Sequence, residues 1–188
     1  GLEANLDISK YAKLEYSWEQ MRQIREGLKE NLNVRFYLNK EFSWKEMEQI
    51  KFGLKDNVDV SIYAKPEFDW EQMREIKEGL REKKDVSIYA NPIFTEDQMR
   101  ELREGLEENL DVSKYANPDF GWAEMYAIRE GLRESLDISL YAKKEYKYDW
   151  RQMEQIRLGL EDNLDVSIYA KTYFNWYRMS LIRTGLKN

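Results

Sequence analysis

The sequence predicts an all-α fold, an α-solenoid of seven helical-hairpin repeats with one long and one short helix in each. Three observations carry this reading. One unit recurs seven times, beginning at Asn5, Asn31, Asn57, Lys83, Asn109, Ser135 and Asn163. All seven Met occupy one repeat position (Met21, Met47, Met73, Met99, Met125, Met153, Met179), and all six Trp share another. Seven of the nine Gly share a third: Gly27, Gly53, Gly79, Gly105, Gly131, Gly159 and Gly185. The period is 26 residues, except in the sixth copy, which runs to 28 through two extra residues within Lys144–Tyr148. A fixed period of this size is the mark of a repeat array whose units bury their apolar faces only by stacking. The whole chain, 1–188, therefore reads as a single array. Residues 1–4 (Gly-Leu-Glu-Ala) match the tail of a preceding unit, as in Gly105-Leu106-Glu107-Glu108.

The third copy, NVDVSIYAKPEFDWEQMREIKEGLRE at 57–82, shows each element in order. Asp59 can cap a short helix over Val60–Ala64, with Val60, Tyr63 and Ala64 on one buried face. Lys65-Pro66 ends it, because a residue before Pro avoids the helical region. So short a helix is unstable alone and must dock on its neighbours. The long helix starts at Asp69, whose equivalents are Ser17, Ser43, Thr95, Gly121, Asp149 and Asn175. Three residues on, Gln20, Glu46, Gln72, Gln98, Glu124 and Gln152 complete the capping-box spacing in six copies. Phe68 before the cap and Met73 after it have the spacing of a hydrophobic staple. Trp70, Met73, Ile76 and Leu80 then form one apolar stripe.

The long helix should stop near Glu82, followed by a left-handed residue, usually Asn, and an apolar one, usually Leu. Glycine inside a helix costs about 1 kcal/mol relative to Ala. Seven copies carrying it predict a close approach there, with the ring of Tyr63 and its equivalents over the gap.

Composition removes whole classes of function. The chain has no Cys and no His. It lacks a disulfide framework, a thiol nucleophile, the commonest general base and the usual zinc, haem and iron–sulfur ligands. Its carboxylates sit at repeating positions such as Glu26, Glu78, Glu104 and Glu130, whereas a catalytic pair needs one carboxylate in a distinct environment. No phosphate-cradling glycine loop and no EF-hand pattern occurs. We expect no enzyme activity, no cofactor and no metal. Apolar runs fall far short of the ~20 residues of a membrane span, and no signal segment is visible, so the expected setting is cytoplasmic, without a membrane partner. With 30 basic and 36 acidic side chains the net charge is −6, which disfavours broad capture of nucleic acid.

Two patterns remain as candidate sites. Arg25, Lys51, Lys77, Arg103, Arg129, Arg157 and Arg183 recur once per repeat and would form a basic ladder. It is either a rail for nucleic acid, with one phosphate contact per unit, or a structural ion-pair ladder, the favoured reading. Asp7, Asn33, Asp59, Asp85, Asp111, Asp137 and Asp165 are the expected counter-charge. The second pattern is a set of apolar residues, Phe36, Phe52, Tyr126, Leu158, Tyr173, Tyr177 and Leu181, read as standing where sister repeats carry polar or charged residues. A fixed scaffold with changing outward residues is what a protein-binding face requires, and aromatic residues are its usual anchors. The last copy is rich in such residues, where an array normally ends in a polar capping repeat. We expect the natural array to extend at its N-terminus at least, and the last repeat to meet another surface.

The period matches none of the common helical repeats. The segment Gln152–Ala170, QMEQIRLGLEDNLDVSIYA, resembles short helical repeats in uncharacterised bacterial proteins, some associated with mobile elements; the resemblance covers all seven units. It implies a helical repeat of unassigned role and carries no site residues. The expectation is a non-enzymatic scaffold binding an unidentified protein. The alternatives are a nucleic-acid array using the basic ladder, and self-association through the C-terminal repeat.

Overall fold

The computed structural model describes residues 15–188. The start of the first unit at Asn5, the tail 1–4 and Asp7 lie outside the described residues. Seven α-helices of 12 residues recur in step with the repeat: α1 (Trp18–Lys29), α2 (Trp44–Lys55), α3 (Trp70–Arg81), α4 (Glu96–Glu107), α5 (Trp122–Arg133), α6 (Trp150–Glu161) and α7 (Trp176–Lys187). No strand occurs among the described residues. The fold is a helical repeat solenoid. It resolves into two compact units, one running to Met99 and the other from Arg100 to Asn188, with the boundary inside α4. In the first unit α1 packs on α2 and α2 on α3; in the second α5 packs on α6 and α6 on α7. Among the described residues no helix is long and apolar enough to cross a membrane.

Among the described residues the short helix of a hairpin is a single 3₁₀ turn, such as Val60–Ile62 or Val166–Ile168. Asp59 caps it, its Oδ1 accepting from Ser61 N at 3.0 Å and Ser61 Oγ at 2.6 Å. A three-residue segment between two bends cannot nucleate an α-helix, and the tighter turn is the usual solution. The sixth copy's two extra residues appear as an additional 3₁₀ turn, Lys144–Tyr146, closed by Lys147 with φ 54°.

Helix ends follow the sequence signals closely. Reciprocal capping boxes form at Ser17/Gln20, Ser43/Glu46, Asp69/Gln72, Thr95/Gln98 and Asp149/Gln152. At Gly121 only the Glu124 half exists, because glycine has no side chain to return the bond. At the other end Asn31, Asn57, Lys83, Asn109, Ser135 and Asn163 all have φ of 56–58°. Around Asn31, Leu32 N donates to Gly27 O at 2.9 Å and Asn31 N to Leu28 O at 3.2 Å, a Schellman motif.

The glycine position is explained by one buried ring. Tyr37, Tyr63, Tyr89, Tyr115, Tyr141 and Tyr169 are each fully buried. Each phenol donates to a carbonyl of the preceding repeat, four residues before that repeat's glycine, at 3.1–3.4 Å. A Cβ on any of the six partner glycines would lie 1.7–2.0 Å from the phenol oxygen. Gly185 has no such neighbour.

The capping-box Gln does a second job. Gln72 Nε2 donates to Phe94 O at 2.7 Å and to Pro92 O at 3.3 Å in the next repeat. Gln20 and Gln152 make the same pair of bonds to Phe42 and Lys40 and to Phe174 and Thr172. One side chain thus starts its own helix and pins the entry of the following one.

Candidate functional site

The basic ladder is turned inward. Lys51 Nζ reaches back to Gln23 Oε1 and Glu26 Oε2, both at 2.6 Å. Lys77 Nζ reaches Gln49 Oε1 at 3.1 Å and Glu78 at 3.2 Å. Arg129 gathers Glu101 at 3.0 Å and Glu104 and Glu108 at 2.8 Å each. Arg157 pairs with Glu134 at 2.9 Å, and Arg183 bonds Gln155 at 3.2 Å and Asp162 at 3.4 Å. Arg103 pairs with Glu107 along its own helix, and Arg25 is exposed. Lys51, Lys77 and Arg129 are buried. Most of the counter-charge comes from the preceding repeat, from Glu26, Glu101 and Glu104 on its long helix and from Glu108, Glu134 and Asp162 just past the helix end. Asp59, Asp85, Asp137 and Asp165 each accept from a Ser N–H of their own 3₁₀ turn, so the expected pairing with the ladder is corrected.

Electrostatics agree with the geometry. The Lys51 ammonium bonded to Glu26 holds that carboxyl below its usual range. Burial pushes Glu101 up, against the pull of Arg129. For Arg129, burial opposes the charge but Glu101, Glu104 and Glu108 outweigh it, leaving the guanidinium more firmly protonated than usual.

The Trp position faces outward. Trp begins each long helix except α4, and its expected place in the buried stripe is only partly right. Met73 and Ile76 are fully buried, whereas Trp70 and Trp44 are half-buried. Trp18, Trp122, Trp150 and Trp176 are 40–66% exposed. Trp is the first helical residue, three before the buried Met, and its side chain stays partly or largely in solvent. Cations lie beside several rings: Lys45 Nζ is 4.4 Å from the centre of Trp70, and Arg151 is 4.9 Å from that of Trp150.

The apolar set is divided between the two units, and its members have different surroundings. Phe36 ends a 3₁₀ turn and is matched by Ile62, Ile88, Leu140 and Ile168, so its apolar character is ordinary for its position. Phe52 takes the place of a ladder acid, and its ring lies 5.7 Å from Lys51 Nζ and 5.3 Å from Lys77 Nζ, a cation–π partner in place of an ion pair. Leu158 is half-buried on α6. Tyr173, Tyr177 and Leu181 are 57–75% exposed on the last repeat. Tyr173 packs edge-on against Phe174 and Tyr177 against Trp176.

Tyr126 belongs to something the sequence reading missed. A cleft of about 600 Å³ opens between α5 and α6, lined by Trp122, Tyr126, Ala127, Trp150, Glu154 and Arg157 among others. It exists because the fifth repeat carries Gly121, Ala123 and Ala127 where its sisters mostly carry larger polar side chains. Lys144, from the inserted turn, closes one side through Glu124 at 2.8 Å. The signal was present in the sequence: three small residues in one repeat, immediately before the single insertion. A comparison with protein-family models, curated proteins and solved structures finds no match to the chain.

Proposed function

We propose that the chain is a non-enzymatic repeat scaffold that binds another protein. The observation that carries this reading is the set of exposed rings that open the long helices, Trp18, Trp122, Trp150 and Trp176. Large rings with little side-chain entropy to lose are effective interface anchors. A nucleic-acid rail draws less support, because the ladder's charged groups are held by carboxylates and glutamines of the preceding repeat. A bacterial origin, which rests on the repeat resemblance, and a cytoplasmic setting, which rests on the short apolar runs, are part of the same proposal.

The test is capture by the immobilised chain, with and without nuclease, beside a variant carrying Trp122→Ala and Trp150→Ala. A protein retained in both arms and lost with the variant supports the scaffold. Retention that disappears with nuclease overturns it in favour of the ladder.

One observation favours a second reading, self-association through the C-terminal repeat. Tyr177, Leu181 and Leu186 are exposed on α7, and the backbone at Gly185 is uncovered. Light scattering across a concentration series tests it. Concentration-dependent dimers that Leu181→Gln abolishes support it, and a monomer at every concentration removes it.

A further inference from the structure

Four ladder cations donate to a Gln or Glu side chain at one position of the preceding long helix. Lys51 reaches Gln23 at 2.6 Å, Lys77 reaches Gln49 at 3.1 Å, Arg129 reaches Glu101 at 3.0 Å and Arg183 reaches Gln155 at 3.2 Å. For Arg157 the equivalent position, allowing for the two inserted residues, is Ala127. A methyl group cannot accept. All hydrogen bonds of Arg157 to the described residues run through Nη1, to Glu134 and Glu161. Its Nε, the atom that Arg129 and Arg183 use for the inter-repeat bond, has no such partner. The space that a Gln side chain fills elsewhere is the floor of the α5–α6 cleft.

We propose that this cleft takes a glutamine side chain from an extended segment of the partner protein, an inference that rests on the scaffold reading. The carboxamide oxygen accepts from Arg157 Nε, as the chain's own Gln155 does from Arg183. The methylenes lie against Trp122, Tyr126 and Trp150, where apolar area is available. A volume of about 600 Å³ holds the side chain with its flanking backbone and lies within the range of built ligand sites.

Charge selects the amide over the acid. The cleft's two cations are already matched, Lys144 by Glu124 and Arg157 by Glu134. Glu154 sits three residues before Arg157 on the same helix face, lines the cleft and forms no ion pair with the described residues. A second carboxylate would meet it unfavourably. A carboxamide can instead donate its N–H to Glu154 while its oxygen accepts from Arg157.

The test uses the full chain and four blocked pentapeptides, alanine throughout except for a central Gln, Glu, Lys or Leu. Binding is followed by NMR at the indole N–H of Trp122 and Trp150 and at Arg157 Nε–H, with peptide in the millimolar range. The Gln peptide should shift all three signals and bind about tenfold more tightly than the Leu peptide, the ratio expected from one hydrogen bond to a charged donor. Ala127→Gln, which restores the sister residue, should abolish the shifts while leaving the far-UV circular dichroism unchanged. Should that variant not fold, Arg157→Met provides the second test, and it should erase the preference for Gln over Leu. Equal or stronger binding of the Lys or Glu peptide, no shift with any peptide, or undiminished binding by the filled variant would overturn the proposal. A partner protein captured equally by the wild-type chain and by Ala127→Gln would overturn this site and leave the scaffold standing.

Discussion

Replacing Gly53 with Ala should destabilise the protein, although the same change in an ordinary helix stabilises it by about 1 kcal/mol. The new Cβ would lie 1.8 Å from Tyr63 Oη, 2.9 Å from Val60 Cγ1 and 3.1 Å from Tyr63 Cζ. Tyr63 is fully buried, so its ring has no open space to move into. Forcing it aside costs about 1–3 kcal/mol in overpacking. The bond from Tyr63 to Gln49 O, 3.3 Å long, is lost with it, about another 1–3 kcal/mol for a buried pair. Against the gain in helix propensity the net is about 3 kcal/mol, or about 6–12 °C in Tm for a chain of this size. Thermal and urea unfolding followed by circular dichroism measure it. Two controls sharpen the result. Gly185→Ala meets nothing within 4 Å and should be neutral or stabilising by up to about 1 kcal/mol. Tyr63→Phe combined with Gly53→Ala should cost less than the two single changes added, because the clashing oxygen is gone. Gly53→Ala unfolding at or above the wild-type midpoint, or strict additivity in the double variant, would refute the socket.

Burial raises the phenol pKa of Tyr37, Tyr63, Tyr115 and Tyr141 well above its ordinary value and that of Tyr169 to about 12. The folded state therefore favours the neutral phenol. This stability is fully present below about pH 10 and is lost as pH rises through that value towards the folded ones; tyrosinate absorbance should appear together with loss of helical signal in an alkaline titration. Arg129→Met strands Glu101, which is 4% exposed, and should cost about 3–5 kcal/mol in urea unfolding, with Arg129→Met plus Glu101→Leu recovering most of it. Gln72→Glu keeps the acceptor for Asp69 N but turns a donor into an acceptor facing two carbonyls, so it should cost about 1–3 kcal/mol, read from the urea midpoint.

Much of the local structure is legible in the sequence because it depends on short-range chemistry. Ser, Asp and Thr at the caps, Gln or Glu three residues on, and Asn, Lys or Ser at the left-handed stop are set by backbone groups within one helical turn. The glycine socket is also readable, since a costly residue recurring in every copy demands a close neighbour. The candidate site is less so. Trp70 and its equivalents fit the apolar stripe by spacing, yet they stand at the first helical position, three before the buried Met, and stay partly or largely in solvent.

The repeat, its period, the long-helix boundaries and the glycine–tyrosine contact were determined by the sequence alone, the first two because the copies can be compared and the others because they join residues close together along the chain. Tertiary structure alone decided which acids face the basic ladder. That pairing joins residues 21–28 positions apart, and no local pattern distinguishes Glu101 from Asp111 as the partner of Arg129. It also decided that Ala127 leaves a cleft, because a missing side chain becomes a cavity only when the next helix fixes the walls around it.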